Sequence, residues 1–236
     1  MVIVGHRGAA GNAPENTQAA ILEAKRQGCS WIEVDVQLSL DHEAVIFHDT
    51  TLERSSNGRG HLSAHSLREL QQLDYGTWYS PQFEGEALLS LKQCLDLCMR
   101  LNFKINLELK LVEGQDPNRL VAVVQSCLDE SRFACDDILI SSFDHQVLKI
   151  FQKDAPHYRY GHLFDHLPDN WLQQCEAIKA QSCHCNIEHL SRAQAQAVKE
   201  AGYQLILYTV NQVEQIEPIK DLVDIVISDY PERFLG

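Results

Sequence analysis

Strand-like runs of Val, Ile and Leu recur along this chain, and each is followed by a segment carrying helix-start signals. That alternation constrains the fold more than any other feature. Strands separated by helices pair in parallel, and a parallel sheet needs both faces covered. The runs begin with Met1-Val2-Ile3-Val4 and return at 31–37, 105–110, 138–141, 159–164, 183–187, 203–209 and 224–228. Between them lie Asn16 or Thr17 as a cap with Gly28 as a stop, Ser90 with Gln93, and Asp116 before Pro117. A helix from about His145, one opened by Pro168, one capped by Ser191 and stopped at Gly202, and one capped at Asn211 complete the set. Eight β-α units result, the last helix being a stub near 231–235, and eight such units fit a closed α/β TIM (β/α)8 barrel. A doubly wound open sheet is the alternative, but no GxGxxG motif opens the first helix.

The 236 residues, 44% hydrophobic, suffice for a single barrel domain spanning 1–236. The alternation fails from about 50 to 89, where Gly58, Gly60, Gly76 and Gly85 accompany Trp78, Tyr79 and Phe83. Only Ser66-Leu67-Arg68-Glu69 there reads as a capping box. A stretch this long marks a small inserted subdomain after the second strand. Its aromatic residues either shape a substrate or form the insertion's own core.

The second strand, Trp31-Ile32-Glu33-Val34-Asp35-Val36-Gln37, breaks its apolar pattern with two acids. Strand side chains alternate, so both carboxylates point to one face. Two unpaired buried anions cost several kcal/mol, and a hard divalent cation resolves that cost. A solvated edge strand with an acidic face is the competing reading. In a parallel barrel the strand C-termini form the site, and there fall His6, Arg7, Glu33, Asp35, His48, Glu108 and Lys110. Three carboxylates suit Mg2+ or Ca2+, Arg7 and Lys110 supply donors to an anion, and the two imidazoles titrate near neutrality as an acid and a base must.

The formal charge of −13 argues against nucleic acid as a partner. No run approaches the ~18 apolar residues of a membrane span, and the chain enters strand-like sequence at Val2, so a cytoplasmic location is expected. Eight cysteines without a CxxC knuckle read as reduced, mostly buried thiols. Cys94 and Cys98 share a helix face, and Cys183 and Cys185 a strand face. His61, His65, His162 and His166 read as surface residues.

His6-Arg7-Gly8, Pro14-Glu15-Asn16-Thr17, Glu33-Val34-Asp35 and His48-Asp49-Thr50-Thr51-Leu52-Glu53-Arg54 resemble the glycerophosphodiester phosphodiesterase family, as do Leu107-Glu108-Leu109-Lys110, Tyr208-Thr209-Val210-Asn211 and Ser228-Asp229-Tyr230-Pro231. The resemblance implies metal-dependent hydrolysis of glycerophosphodiesters to sn-glycerol 3-phosphate and an alcohol. By it, Glu33, Asp35 and Glu108 bind one divalent cation, Mg2+ or Ca2+, His6 and His48 act as acid and base, and Arg7 and Lys110 hold the phosphate. Gly5, Tyr208 and Ala87-Leu88-Leu89-Ser90 depart from the family pattern, and these departures bear on headgroup fit. A phospholipase-type relative, a metal-free glycosidase on the same barrel and a lapsed binding module remain as alternatives.

Overall fold

The computed structural model describes residues 1–235. Eight parallel strands close into a ring: β1 (Val2–His6), β2 (Trp31–Leu38), β4 (Lys104–Leu109), β5 (Ile138–Ser142), β6 (Arg159–Phe164), β7 (Ser182–Asn186), β8 (Gln204–Tyr208) and β9 (Ile225–Ser228). β1 pairs with both β9 and β2, which completes the TIM barrel expected from the alternation. Around it lie α1 (Gln18–Arg26), α3 (Leu91–Arg100), α4 (Pro117–Glu130), α5 (His145–Asp154), α6 (Trp171–Ala177) and α7 (Arg192–Glu200).

The period of two in each strand sorts its residues. Ile32, Val34 and Val36 face outward and join Ile105, Leu107, Leu109, Cys94, Leu95 and Val124 in one buried cluster. Their neighbours face inward. Val4, Trp31, Leu139, Ile206, Ile225 and Ile227 fill the barrel floor with apolar side chains. Two residues further along the same strands, the interior turns polar with Glu33, Ser141 and Asp229, and Ser141 donates to Asn106 Oδ1 at 2.9 Å. The polar layer therefore collects at the C-terminal end of the ring.

The break in the alternation has a structural cause. β3 (Ala44–Ile46) runs antiparallel to β2, pairing with Val36 to Leu38 beyond the point where β1 stops. The insertion follows, with α2 (Leu67–Leu70) capped by Ser66 and Glu69 as a capping box. Val45, Phe47, Leu52, Leu62, Leu70, Tyr75 and Leu88 form its core, separate from the barrel's. Burying each such leucine contributes about 1.5–3 kcal/mol. Of the aromatic residues, Trp78 is 39% exposed, and Tyr79 meets both Trp78 and Phe83 edge to face. Tyr79 donates its hydroxyl to Gly11 O at 2.7 Å, so this cluster ties the insertion to the turn after β1 and leaves the insertion's core to Leu52, Leu62 and Leu70.

Of the two expected cap candidates α1 takes Thr17, and Asn16 is used elsewhere. Other expected elements differ. Pro168 starts a turn rather than a helix; Trp171 N–H reaches Pro168 O, and α6 begins only there. The segment after Asn211 forms 3-10 turns, Val213–Gln215 and Glu217–Leu222, with no α-helix. Asn211 spends its amide on Asp229, and Pro218 removes a donor from the i→i−4 ladder. His162 is a correction as well: it is 2% exposed, stacked on Phe164 at 4.2 Å, and burial lowers its pKa to about 4. Its place mid-strand under the helical layer overrides its polarity. The eight cysteines are all free, with Cys94 and Cys98 sulfurs 4.0 Å apart and Cys183 and Cys185 sulfurs 3.7 Å apart.

Candidate active site

Register brings the acids together. Glu33, Asp35 and Gln37 line the inward face of β2, and the pairing with β4 sets Asp35 directly beside Glu108. One carboxylate oxygen from each of Glu33, Asp35 and Glu108 lies within 4.8 Å of the others. Glu33 and Asp35 are 2% and 1% exposed. Lys110, just past β4, places Nζ 3.1 Å from Glu108 Oε1 and 3.5 Å from Asp35 Oδ1. Asp35 Oδ2 accepts from Asn16 Nδ2 at 2.9 Å, and Arg7 Nε lies 3.3 Å away.

The anions are not balanced by these partners. Glu33 Oε2 accepts the Arg7 backbone N–H, but Glu33 Oε1 is buried with no partner among the described residues. Burial, with Asp35 and Glu108 charges close by, pushes the Glu33 carboxyl well above its usual range. Burial and the Asp35 charge push Glu108 up to about 7. Asp35 behaves in the opposite way. Burial alone would raise it, but the Arg7 guanidinium and Lys110 ammonium hold it below the carboxylate range. An unsatisfied buried oxygen inside three hard oxygen donors fits a divalent cation of the Mg2+ or Ca2+ kind.

Both imidazoles are held by carboxylates. His6, the last residue of β1, has Nδ1 2.6 Å from Asp229 Oδ1, and its Nε2 lies 3.9 Å from Glu33 Oε2. His48 Nδ1 is 2.6 Å from Asp49 Oδ1. Asp–Nδ1 contacts orient a ring and leave Nε2 toward the site. β3 delivers His48: Phe47 N–H donates to Asp35 O at 3.0 Å, bringing the next residue over the mouth. Gln37 then fixes that segment, its buried Nε2 lying 2.8–2.9 Å from the carbonyls of Phe47, His48 and Asp49. Burial lowers the His48 pKa, with Asp35 opposing and Arg7 and Lys110 assisting. Arg7 and Asn16 adopt positive φ, 51° and 59°, a strained backbone that turns Arg7 N–H to Glu33.

A chain of alternating charge joins the parts, and single-residue reasoning missed it. Arg7 Nη1 donates to Glu15 Oε1 at 2.7 Å. Arg54, from the insertion, grips both Glu15 oxygens at 2.6 and 2.7 Å and both Asp49 oxygens at 2.5 and 2.9 Å. Arg54 and His48 hold Asp49 down to about 2 against its partial burial. Arg54 thus links the His48 partner to the Arg7 partner. The available signal was positional: Glu15, Asp49, Arg54 and Asp229 all fall inside the motifs quoted above. Arg54→Ala is expected to lower kcat/KM by up to about 10²-fold, since misplacement on the ångström scale costs that much. Steady-state kinetics with a melting curve as folding control tests this; native kcat/KM would remove Arg54 from the positioning role.

Beside the acids, a cavity of about 280 Å³ opens between Glu108, Lys110, Leu111, Ser142 and Phe143. Phe143 and Tyr208 rings meet edge to face at 5.9 Å on this rim. The fold and the constellation set three acids, two cationic side chains and two carboxylate-held imidazoles together at the C-terminal rim of a (β/α)8 barrel.

Comparison with known proteins gives the family. The model of the glycerophosphoryl diester phosphodiesterase family matches residues 6–233. The chain is 32% identical to a glycerophosphodiester phosphodiesterase of Caldanaerobacter subterraneus, covering 100% of this chain and 96% of that one. It is 32% identical to one of Bacillus altitudinis, covering 98% and 95%. Among solved structures, an Oleispira antarctica phosphodiesterase in complex with the product sn-glycerol-3-phosphate superimposes with a TM-score of 0.93 at 30% identity, covering 99% and 94%. A glycerophosphodiester phosphodiesterase of Agrobacterium tumefaciens gives 0.81 at 28% identity, covering 100% and 99%. The chain belongs to the glycerophosphoryl diester phosphodiesterase family, and glycerophosphodiester phosphodiesterase activity follows from that membership. No helix among the described residues is long and apolar enough to cross a membrane.

Proposed function

We propose that this chain hydrolyses glycerophosphodiesters to sn-glycerol 3-phosphate and a free alcohol, with Glu33, Asp35 and Glu108 holding one divalent cation and His6 and His48 transferring protons. The observation that carries the reading is the buried acid trio with Glu33 Oε1 unpartnered, flanked by two carboxylate-held imidazoles. Bound there, Mg2+ or Ca2+ supplies Lewis-acid polarisation of the phosphate and of a nearby hydroxyl.

The chain's own groups do the rest. Arg7 and Lys110 stand beside the acids, where their positive charges attract the phosphate and stabilise negative charge developing on it. One imidazole takes a proton at Nε2 from the attacking oxygen, water or the substrate's vicinal hydroxyl. The other delivers a proton to the departing alcohol. Asp229 and Asp49 stabilise the imidazolium that forms at each position. The Phe143–Tyr208 edge offers an apolar wall to the organic part of the substrate. The deciding experiment is a coupled sn-glycerol 3-phosphate assay on choline, ethanolamine, glycerol and inositol diesters with Mg2+ and Ca2+ varied. Cation-dependent release from at least one is expected; release unaffected by chelator would defeat the cation assignment.

The acid trio also sets a pH dependence. In the cation-free fold Glu33 and Glu108 keep protons, up to about pH 7 for Glu108, that the unfolded chain has already released. The contribution of both to stability is therefore full at low pH and is lost as pH rises, through about 7 for Glu108; Asp35, held low, contributes in the opposite sense and loses its contribution only in acid. A cation must displace the retained protons, so its stabilising effect should grow between about pH 5 and pH 8. Melting temperatures with and without Mg2+ or Ca2+ test this. An equal shift at both ends would contradict it.

A further inference from the structure

Half-way round the barrel from β2, a second group of potential ligands stands at the ends of β6 and β7. Asp165 and His166 follow the last residue of β6, and His189 closes the 3-10 turn Ile187–His189 after β7. One carboxylate faces two imidazoles: His166 Nδ1 is 3.0 Å from Asp165 Oδ2, and His189 Nδ1 is 3.2 Å from Asp165 Oδ1. The two rings stack with centroids 3.8 Å apart and planes at 17°, so both Nδ1 atoms lie along one edge of the stack. Asn186, the last residue of β7, braces the group from behind. It donates to Asp165 Oδ1 at 2.8 Å and accepts Glu188 N–H at 3.0 Å, which pins the turn carrying His189.

We propose that Asp165, His166 and His189 form a second metal site, distinct from the acidic cage and suited to a borderline ion such as Zn2+. Zinc binds imidazole nitrogen and carboxylate oxygen at about 2.0–2.2 Å in a tetrahedron, which puts neighbouring ligand atoms roughly 3.3 Å apart. The N–O separations of 3.0 and 3.2 Å match that edge; the stacked rings hold their Nδ1 lone pairs nearly parallel, so one exposed imidazole turns about its side-chain bonds to bring both nitrogens onto the ion. Two imidazoles favour zinc-type ions over Mg2+ and Ca2+, which prefer all-oxygen shells such as Glu33, Asp35 and Glu108. Asn186 acts as the outer hydrogen-bond partner that a ligating carboxylate requires. The side chains are open to arriving ions, His166 being 72% exposed and Asp165 56%.

The test uses the full chain, stripped of metal and titrated with Zn2+ by calorimetry in excess Mg2+. The His166→Ala/His189→Ala double variant should bind one Zn2+ fewer than the parent. Each single variant should weaken that binding at least about tenfold. Phosphodiesterase turnover with Mg2+ should not change in any of them. Glu108→Ala, which disrupts the cage, should leave this equivalent in place, so the two sites fail or stand independently. Co2+ as a probe should give tetrahedral visible absorption that disappears in the double variant. Equal Zn2+ stoichiometry and affinity in the parent and the double variant would overturn the proposal and leave the trio as a hydrogen-bonded surface cluster.

Discussion

Replacing Glu108 with alanine is expected to cut turnover by about 10³-fold or more and to remove the response to added cation, because Lewis-acid stabilisation is worth several kcal/mol. The expectation follows from the position of Glu108 opposite Asp35 on the neighbouring strand and from its contact with Lys110. Without it the cage has two carboxylates, and Lys110 turns to Asp35 alone. The loss should not be one of folding. Glu108 and Glu33 are both pushed above their usual range by burial and by their anionic neighbours, so the cation-free protein gains little from the charge. Glu108→Gln, which keeps the shape, should lose activity equally while melting at or above the parent's temperature in chelator. Near-native turnover of either variant in chelator would sink the cation assignment.

The second large effect belongs to His48. His48→Ala should lower kcat by about 10²–10⁴-fold with KM changed far less, the usual size of a proton-transfer contribution. Its ring is oriented by Asp49, and its backbone is fixed by Gln37 and by the Phe47 N–H bond to Asp35. The side chain can therefore be removed without dismantling the mouth. His6→Ala should cost a similar factor, and each variant should lose a different limb of the pH–rate profile. A change confined to KM would assign His48 to binding instead.

Much of the site could be read from spacing. Glu33 and Asp35, two apart in an apolar run, must share a face, and Glu108 and Lys110 repeat the device. The rest was hidden for a physical reason. Asp229 reaches His6 across 223 residues of chain, and Arg54 reaches Glu15 across 39, contacts that no local period encodes. Polarity alone misplaces His162 at the surface, since its strand face packs outward against Phe164. The missing helix after Asn211 fails similarly, since the amide expected to cap it is claimed by Asp229.

By itself the sequence determined the barrel, its eight strands, the insertion after the second of them and the shared faces of Glu33 with Asp35 and of Glu108 with Lys110, because backbone periodicity and end-capping are local properties. Tertiary structure alone decided which carboxylate holds which imidazole, how Arg54 locks Glu15 to Asp49, and that Glu33 keeps an unpartnered oxygen in the cage. Closure of the ring brings strands far apart in the chain to one rim, and only there do the charges acquire neighbours.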